Sequence, residues 1–216
     1  MPGGPRLIAD DALEAAARAR LGPGAVVCGV DEAGRGPWAG PLCVAAVAFA
    51  PGVAPAGIAD SKTLTAPRRA ALAEEIRAVA AWSVAFASVE EIDRLGLGRA
   101  WDRTVARALA GLPAAAFALI DGARVPPGLC CPAEAVVKGD ARCLAVAAAS
   151  ILAKTARDAV MDDLAADHPG YGWETNRGYG TADHLAALQR LGVTPHHRRS
   201  FAPIHNILRE EITTTS

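Results

Sequence analysis

Aromatic residues make up only 5% of the 216 positions and methionine appears twice, so the 51% apolar content rests on Ala, Val and Leu. Cysteine is too sparse and too badly spaced to build a framework. There are five, with no C-x-x-C pair; Cys28, Cys43 and Cys143 lie in apolar runs and Cys130 adjoins Cys131. A disulfide scaffold and a zinc knuckle are therefore excluded. Charge of one sign is also lacking, because 22 basic and 23 acidic residues leave −1, spread evenly over both halves. That balance argues against strong nonspecific nucleic-acid binding and leaves room only for a local basic patch. The first residues lack the basic-then-apolar order of a secretory leader, since Asp10, Asp11 and Glu14 interrupt them, so secretion is not expected. Uncharged sequence runs from Gly36 to Ala59, but Pro37, Pro41, Pro51 and Pro55 break it, and no membrane span is expected.

What remains is a globular chain. At 21% charged and a mean hydropathy of +0.20 it lies far from the disordered range. A chain of this length buries roughly 70% of its unfolded surface, enough for one core with a small appendage. Residues 10–21 carry apolar side chains at helical spacing behind an aspartate cap. Residues 25–30 and 42–49 are short apolar runs flanked by Gly and Pro, the pattern of buried strands. A helix over 65–81 with Pro67 in its first turn, a strand over 82–89 and a Ser88/Glu91 capping box follow. Then come an amphipathic helix at 97–109, a strand at 117–120, a short apolar piece at 135–137 and one long Ala-rich helix over 142–166. The last part is a Gly/aromatic loop over 170–181, a short helix over 182–191 and a basic cluster over 194–200. Strands come early and helices late, which predicts an α/β fold: a mixed sheet first, a helical appendage after it.

Carboxylates recur where these strands end. Asp31 and Glu32 follow the first strand and precede the loop AGRG; Asp121 ends another and is followed by Gly122; Asp140 sits between an apolar piece and the long helix. Strand ends are where α/β folds build sites. One Asp-Glu pair is ordinarily a cap or an ion pair, so the weight lies in the repetition. Two carboxylates about 4 Å apart repel by roughly 4 kcal/mol at an effective dielectric near 20, so such a group shares protons or holds cations. Oxygen donors without His or Cys suit Mg²⁺ or Mn²⁺, and a two-ion site suits phosphoryl transfer. Around the acids stand groups able to hold a polyanion: Arg35 between Gly34 and Gly36, Lys62, Lys138, and the run from His196 through Arg198 and Arg199 to Ser200. Ser150, Lys154 and Arg157 share a helix face, which serves equally as a plain polar stripe. Tyr179, between two glycines, is placed to stack on a sugar or base or to anchor its own loop.

Taken in order, G-V-D-E-A-G-R-G-P (29–37), D-S-K (60–62), L-I-D-G (119–122), K-G-D (138–140), A-A-A-S-I-L-A-K-x-x-R-D (147–158), G-Y-G-T (178–181) and H-H-R-R-S-F (196–201) resemble ribonuclease HII. The match extends from about residue 25 to residue 203. The resemblance implies a ribonuclease H-like mixed sheet flanked by helices with a helical C-terminal region. Residues 1–24 would be an N-terminal extension with a short helix, 25–166 the catalytic core, and 167–216 the region completing the substrate-binding groove. It implies an endoribonuclease that hydrolyses RNA in RNA–DNA hybrids and cuts 5′ of single ribonucleotides embedded in duplex DNA, leaving 3′-hydroxyl and 5′-phosphate ends by two-metal-ion catalysis. By the same resemblance Asp31, Glu32, Asp121 and Asp140 hold Mg²⁺ or Mn²⁺, and Gly34, Arg35 and Gly36 meet the ribose 2′-OH, the mark that separates RNA from DNA. Tyr179 packs near the sugar following the ribonucleotide. Ser150, Lys62, Lys154, Arg198 and Arg199 join the substrate-binding set, the four cations as phosphate contacts.

Two rival readings stand beside this one: another metal-dependent nuclease of the ribonuclease H superfamily, and a non-catalytic nucleic-acid-binding module. A DNA-only nuclease has no use for the glycine loop, and a module would bring phosphate against four carboxylates. Related ribonuclease HIII carries an extra N-terminal domain and glutamate at the fourth acidic position, where this sequence has Asp140. Arg177 stands where many relatives have Lys, with the charge kept. After Asn206 nothing reads as a clamp-binding peptide, so the expected partners are RNA–DNA hybrid and ribonucleotide-containing duplex DNA, for a cytoplasmic monomer with no protein or membrane partner.

Overall fold

Two apolar runs adjacent in sequence become the middle of a sheet. In the computed structural model, which describes residues 9–214 except 23, 60 and 113, β1 (Val26–Ala33) and β2 (Leu42–Ala48) pair antiparallel from Gly29↔Val47 to Ala33↔Cys43. Every residue of β2 is buried, as in a strand covered on both faces. Asp60 of the D-S-K triplet lies outside the described residues. β3 (Ala81–Ala87) forms one edge, while β4 (Ala115–Asp121) runs parallel to β1 and β5 (Ala133–Val136) parallel to β4, giving the order β3-β2-β1-β4-β5. The sheet is mixed, as the sequence predicts.

A parallel partner for β1 needs a long crossover, and the chain between β2 and β4 supplies helices for it. α1 (Ala12–Leu21) precedes the sheet, and α2 (Ala66–Val79), α3 (Val89–Leu95) and α4 (Leu97–Ala110) fall before β4. Ser88 Oγ accepts the Glu91 N–H at 3.1 Å, so the expected cap exists, and it starts α3. The remaining helices are α5 (Leu144–Asp167), α6 (Trp173–Asn176), α7 (Ala182–Leu191), capped by Thr181, and α8 (Ala202–Thr214). Among the described residues no helix is long and apolar enough to cross a membrane.

The chain forms two compact units. The first comprises residues up to Ala33, Cys43–Ala85 and Asp102–Thr155; the second comprises Gly34–Leu42, Phe86–Trp101 and Ala156–Ser216. In the first unit the start of α5 lies directly on β1. A Cβ on Gly29 would stand 2.1 Å from Val146 N and 2.2 Å from the Ala145 carbonyl carbon, so only glycine permits the approach. Glu14 of α1, buried, accepts the Ala145 N–H at 2.7 Å, and Leu144 N–H bonds the Asp10 carbonyl at 2.8 Å. Ala17, Val27, Leu119, Val136 and Val146 close the core there. Because the obstacle at Gly29 is backbone, Gly29→Ala is expected to cost about 3 kcal/mol, measured by denaturant unfolding; unchanged stability would show that α5 does not seat on β1.

All five cysteines are free thiols. Burial pushes Cys28 up to about 12 and Cys131 up to about 11, which keeps both neutral. In the second unit Ala39, Met161, Tyr171, Trp173, Leu188 and Ile204 pack together.

Candidate active site

Asp31, Glu32 and Asp121 sit inside the strands rather than just after them. β1 continues through Asp31 and Glu32 to Ala33, and β4 ends on Asp121 itself. Val30 pairs with Ile120 in the parallel register, so Asp31 and Asp121 are each the next residue of neighbouring strands, at one level of the first unit. Asp31 is buried, at 5% exposure, and its Oδ1 accepts the Glu32 N–H at 2.7 Å. Burial first, then the charges of Glu32 and Asp121, hold its carboxyl well above the ordinary range; the Glu32 N–H and a hydrogen bond from Ser150 pull the other way. Ser150 is buried in α5 and shares a 2.8 Å hydroxyl contact with Ser61. It therefore serves Asp31 from within rather than facing solvent.

Asp121 Oδ1 accepts the Gly139 N–H at 2.7 Å, which ties β4 to the 3-10 turn Gly139–Ala141 that carries Asp140. Lys62 Nζ lies 3.6 Å from Asp140 Oδ2, with the lysine side chain 77% exposed. Lys154, in the same unit, is half-buried on α5. Among the described residues no three His, Cys, Asp or Glu side chains converge at ligand distance. The oxygen donors and the repulsion concentrated on Asp31 are of the kind that suits a hard divalent cation.

The glycine loop belongs to the second unit. Gly34 has φ +93°, and a Cβ there would fall 2.1 Å from Arg157 Nε and 2.8 Å from the Pro41 oxygen, so the loop can close only on glycine. Arg198, fully buried, donates Nη2 to the Gly34 carbonyl at 2.6 Å, Nη1 to the Arg35 carbonyl at 3.0 Å and Nε to the Gly40 carbonyl at 3.0 Å. Buried Arg157 donates to the Pro41 and Ala39 carbonyls at 2.9 and 3.1 Å. With carbonyls 34 and 35 turned to Arg198 across trans peptides, the N–H groups of Arg35 and Gly36 face away from it.

The phosphate role expected of Arg198 is thus corrected, because its donors are spent on loop carbonyls and none of its surface meets solvent. Arg199 is exposed, and its backbone N–H is held by Asp93 at 2.9 Å. Arg35 lies over the Trp101 ring at 5.4 Å. Tyr179 is 47% exposed, and its Cε1 stands 3.5 Å from where a Gly36 Cβ would be, so loop and tyrosine ring adjoin. Arg157, which the sequence offers equally as a polyanion contact or a polar-stripe residue, and His184, which it does not mark, are both buried and bonded to backbone carbonyls, with only their place in apolar helix faces as a signal.

The family model described as ribonuclease HII matches residues 28–204. A ribonuclease HII of Cereibacter sphaeroides is 62% identical over 190 residues, 88% of this chain and 90% of its own. Among solved structures, ribonuclease H2 from Pyrococcus horikoshii OT3 superposes with a TM-score of 0.74 at 27% identity, covering 85% of this chain and 97% of its own. The PCNA:ribonuclease HII complex from Archaeoglobus fulgidus matches with a TM-score of 0.70 at 28% identity, over 84% and 96%. The motifs, the mixed sheet with acids at the ends of β1 and β4, and these matches over nearly whole chains agree: the chain belongs to the ribonuclease HII family and is a ribonuclease H acting on RNA–DNA hybrids.

Proposed function

We propose that the enzyme cuts on the 5′ side of a ribonucleotide, including one embedded alone in duplex DNA, with Asp31, Glu32, Asp121 and Asp140 as metal-holding acids. The observation that carries this reading is the crowding of Glu32 and Asp121 on a buried Asp31, a charge arrangement that a divalent cation would offset. The chemistry that Mg²⁺ or Mn²⁺ supplies when bound there is activation of water and charge for the leaving oxygen. The chain's own part is positional. Ser150 and the Glu32 N–H orient Asp31, and Gly139 orients Asp121.

The N–H groups of Arg35 and Gly36, turned outward by Arg198, are the donors suited to a ribose 2′-OH. Tyr179 offers an exposed ring beside Gly36 for the next sugar. Lys62, Lys154 and Arg199 supply positive charge for phosphates, which positions substrate without reading sequence. The enzyme's place under this reading is the cytoplasm, as a monomer.

The test is to map the nick in an end-labelled duplex carrying one ribonucleotide. The expected cut lies 5′ of the ribonucleotide with 3′-hydroxyl and 5′-phosphate ends, at a phosphate that its 2′-OH cannot reach, so that water is the nucleophile. A cut on its 3′ side ending in a cyclic phosphate would show that the 2′-OH attacks, and would overturn the proposal.

A further inference from the structure

Two buried imidazoles of the second unit have no part in the reading above. His184, in α7, and His197 are both fully buried, and their Nε2 atoms stand 3.1 Å apart. The outer nitrogens fix where the protons sit. His184 Nδ1 lies 2.9 Å from the Tyr179 carbonyl oxygen, which can only accept, so Nδ1 carries the hydrogen. Its Nε2 is then a lone pair, and the Trp173 indole N–H also points at it, at 3.1 Å. His197 Nδ1 accepts the Thr194 backbone N–H at 3.0 Å, so its hydrogen sits on Nε2 and is directed at His184. Donation runs one way, from Thr194 through both rings to the Tyr179 carbonyl, and it requires both rings neutral.

The surroundings favour that neutrality. Burial lowers His184 and brings His197 down to about 3, and a charge on a neighbouring imidazole would lower His197 further. The Tyr179 backbone is bonded within its own turn as well, its N–H to the Asn176 carbonyl and its carbonyl to the Thr181 N–H, each at 2.9 Å, and the His184 link joins that turn to α7. Tyr179 lies between Gly178 and Gly180, and its ring is half exposed, so contacts of the ring itself do little to fix its direction. At its other end the relay reaches the glycine loop, because His197 bridges Ala39 and the Gly178 carbonyl accepts from the Trp38 and Ala39 N–H groups.

We infer that the His184–His197 pair is a proton-ordered strut that holds the Tyr179 backbone and so aims its ring beside Gly36, making both histidines positioning residues for selectivity at the RNA-to-DNA junction. This rests on the proposed role of Tyr179 at the sugar following the ribonucleotide.

The test compares kcat and KM on a single-ribonucleotide duplex and on a long hybrid for the wild type, His184→Phe, His184→Asn and Tyr179→Ala. His184→Phe fills the space without the link and is expected to lower kcat on the single-ribonucleotide duplex about 10-fold relative to the long hybrid. His184→Asn, which keeps a donor for the Tyr179 carbonyl, recovers part of it. Equal losses on both substrates, the mark of a merely structural role, would overturn the inference. So would unchanged selectivity in His184→Phe beside a loss in Tyr179→Ala, which refutes the strut and spares the tyrosine. If Tyr179→Ala keeps its selectivity, the role of Tyr179 and the strut fall together. Histidine ¹⁵N spectra of the unmodified protein decide the matter should His184→Phe not fold. The strut requires His184 protonated on Nδ1, His197 on Nε2 and neither ring charged at neutral pH; any other state contradicts it.

Discussion

Asp31→Asn is expected to lower cleavage of an RNA–DNA hybrid by about 10³-fold or more, and at the same time to raise the melting temperature of the protein in chelator. The two effects have one origin. Burial and the charges of Glu32 and Asp121 favour the protonated form of Asp31 in the fold. A carboxyl raised in this way adds stability below its unfolded range, and that contribution is lost as pH rises through the folded value. At neutral pH the ionised group therefore costs stability. Asparagine removes the charge and keeps an oxygen for the Glu32 N–H, so repulsion falls and that bond remains. Activity moves the other way because the same charge is what a divalent cation binds. Calorimetry in chelator checks the first half, and a lower melting temperature for the variant would show that Asp31 is not under repulsion. Added Mg²⁺ should stabilise the wild type more than the variant.

The second large effect is expected at Arg198. Arg198→Met keeps much of the buried volume and removes the donors to the carbonyls of Gly34, Arg35 and Gly40. Leaving buried acceptors unpaired costs about 3 kcal/mol or more, which lowers the melting temperature by roughly 6–12 °C in a chain of this size. The loss extends to function, because those carbonyl bonds set the direction of the Arg35 and Gly36 N–H groups. Arg198→Lys should fall between, since one ammonium cannot reproduce the planar fork. Thermal melts together with kcat/KM on a hybrid read both quantities. Wild-type melting and turnover in Arg198→Met would mean that the loop holds its shape without the guanidinium.

The difference between Asp31 and Arg198 shows what a sequence discloses. Asp31, Asp121 and Asp140 were legible because strand ends and glycines are local signals, and β1, β2 and β4 were marked by short apolar runs between Gly and Pro. That Asp31, Glu32 and Asp121 lie within the last strand residues was not, since ladder pairing past an acid depends on the neighbouring strand and not on the residue itself. The Ser88 and Thr181 caps were visible for the same local reason. Arg198 and His197 belong to a run that reads as a solvated basic cluster. Arg198 is buried against carbonyls more than 150 residues away in the chain, at Gly34, Arg35 and Gly40, and His197 against His184 of α7. Arg157 reads only as one of three polar residues on a helix face, and His184 gives no signal at all, because a polar residue on an apolar helix face carries no sign of what it meets. The short helix α3 and the helix α8 had too little periodicity to separate from loop and tail.

The most direct test of the carboxylate account is the initial rate on an RNA–DNA hybrid and on the matching all-DNA duplex, measured while Mg²⁺ or Mn²⁺ is titrated into chelator-stripped protein, wild type beside Asp31→Asn. The account predicts no cleavage in chelator, a saturable gain with either ion on the hybrid alone, and no comparable gain in the variant. Cleavage of the hybrid without a divalent ion, or a metal response in Asp31→Asn equal to that of the wild type, would contradict it.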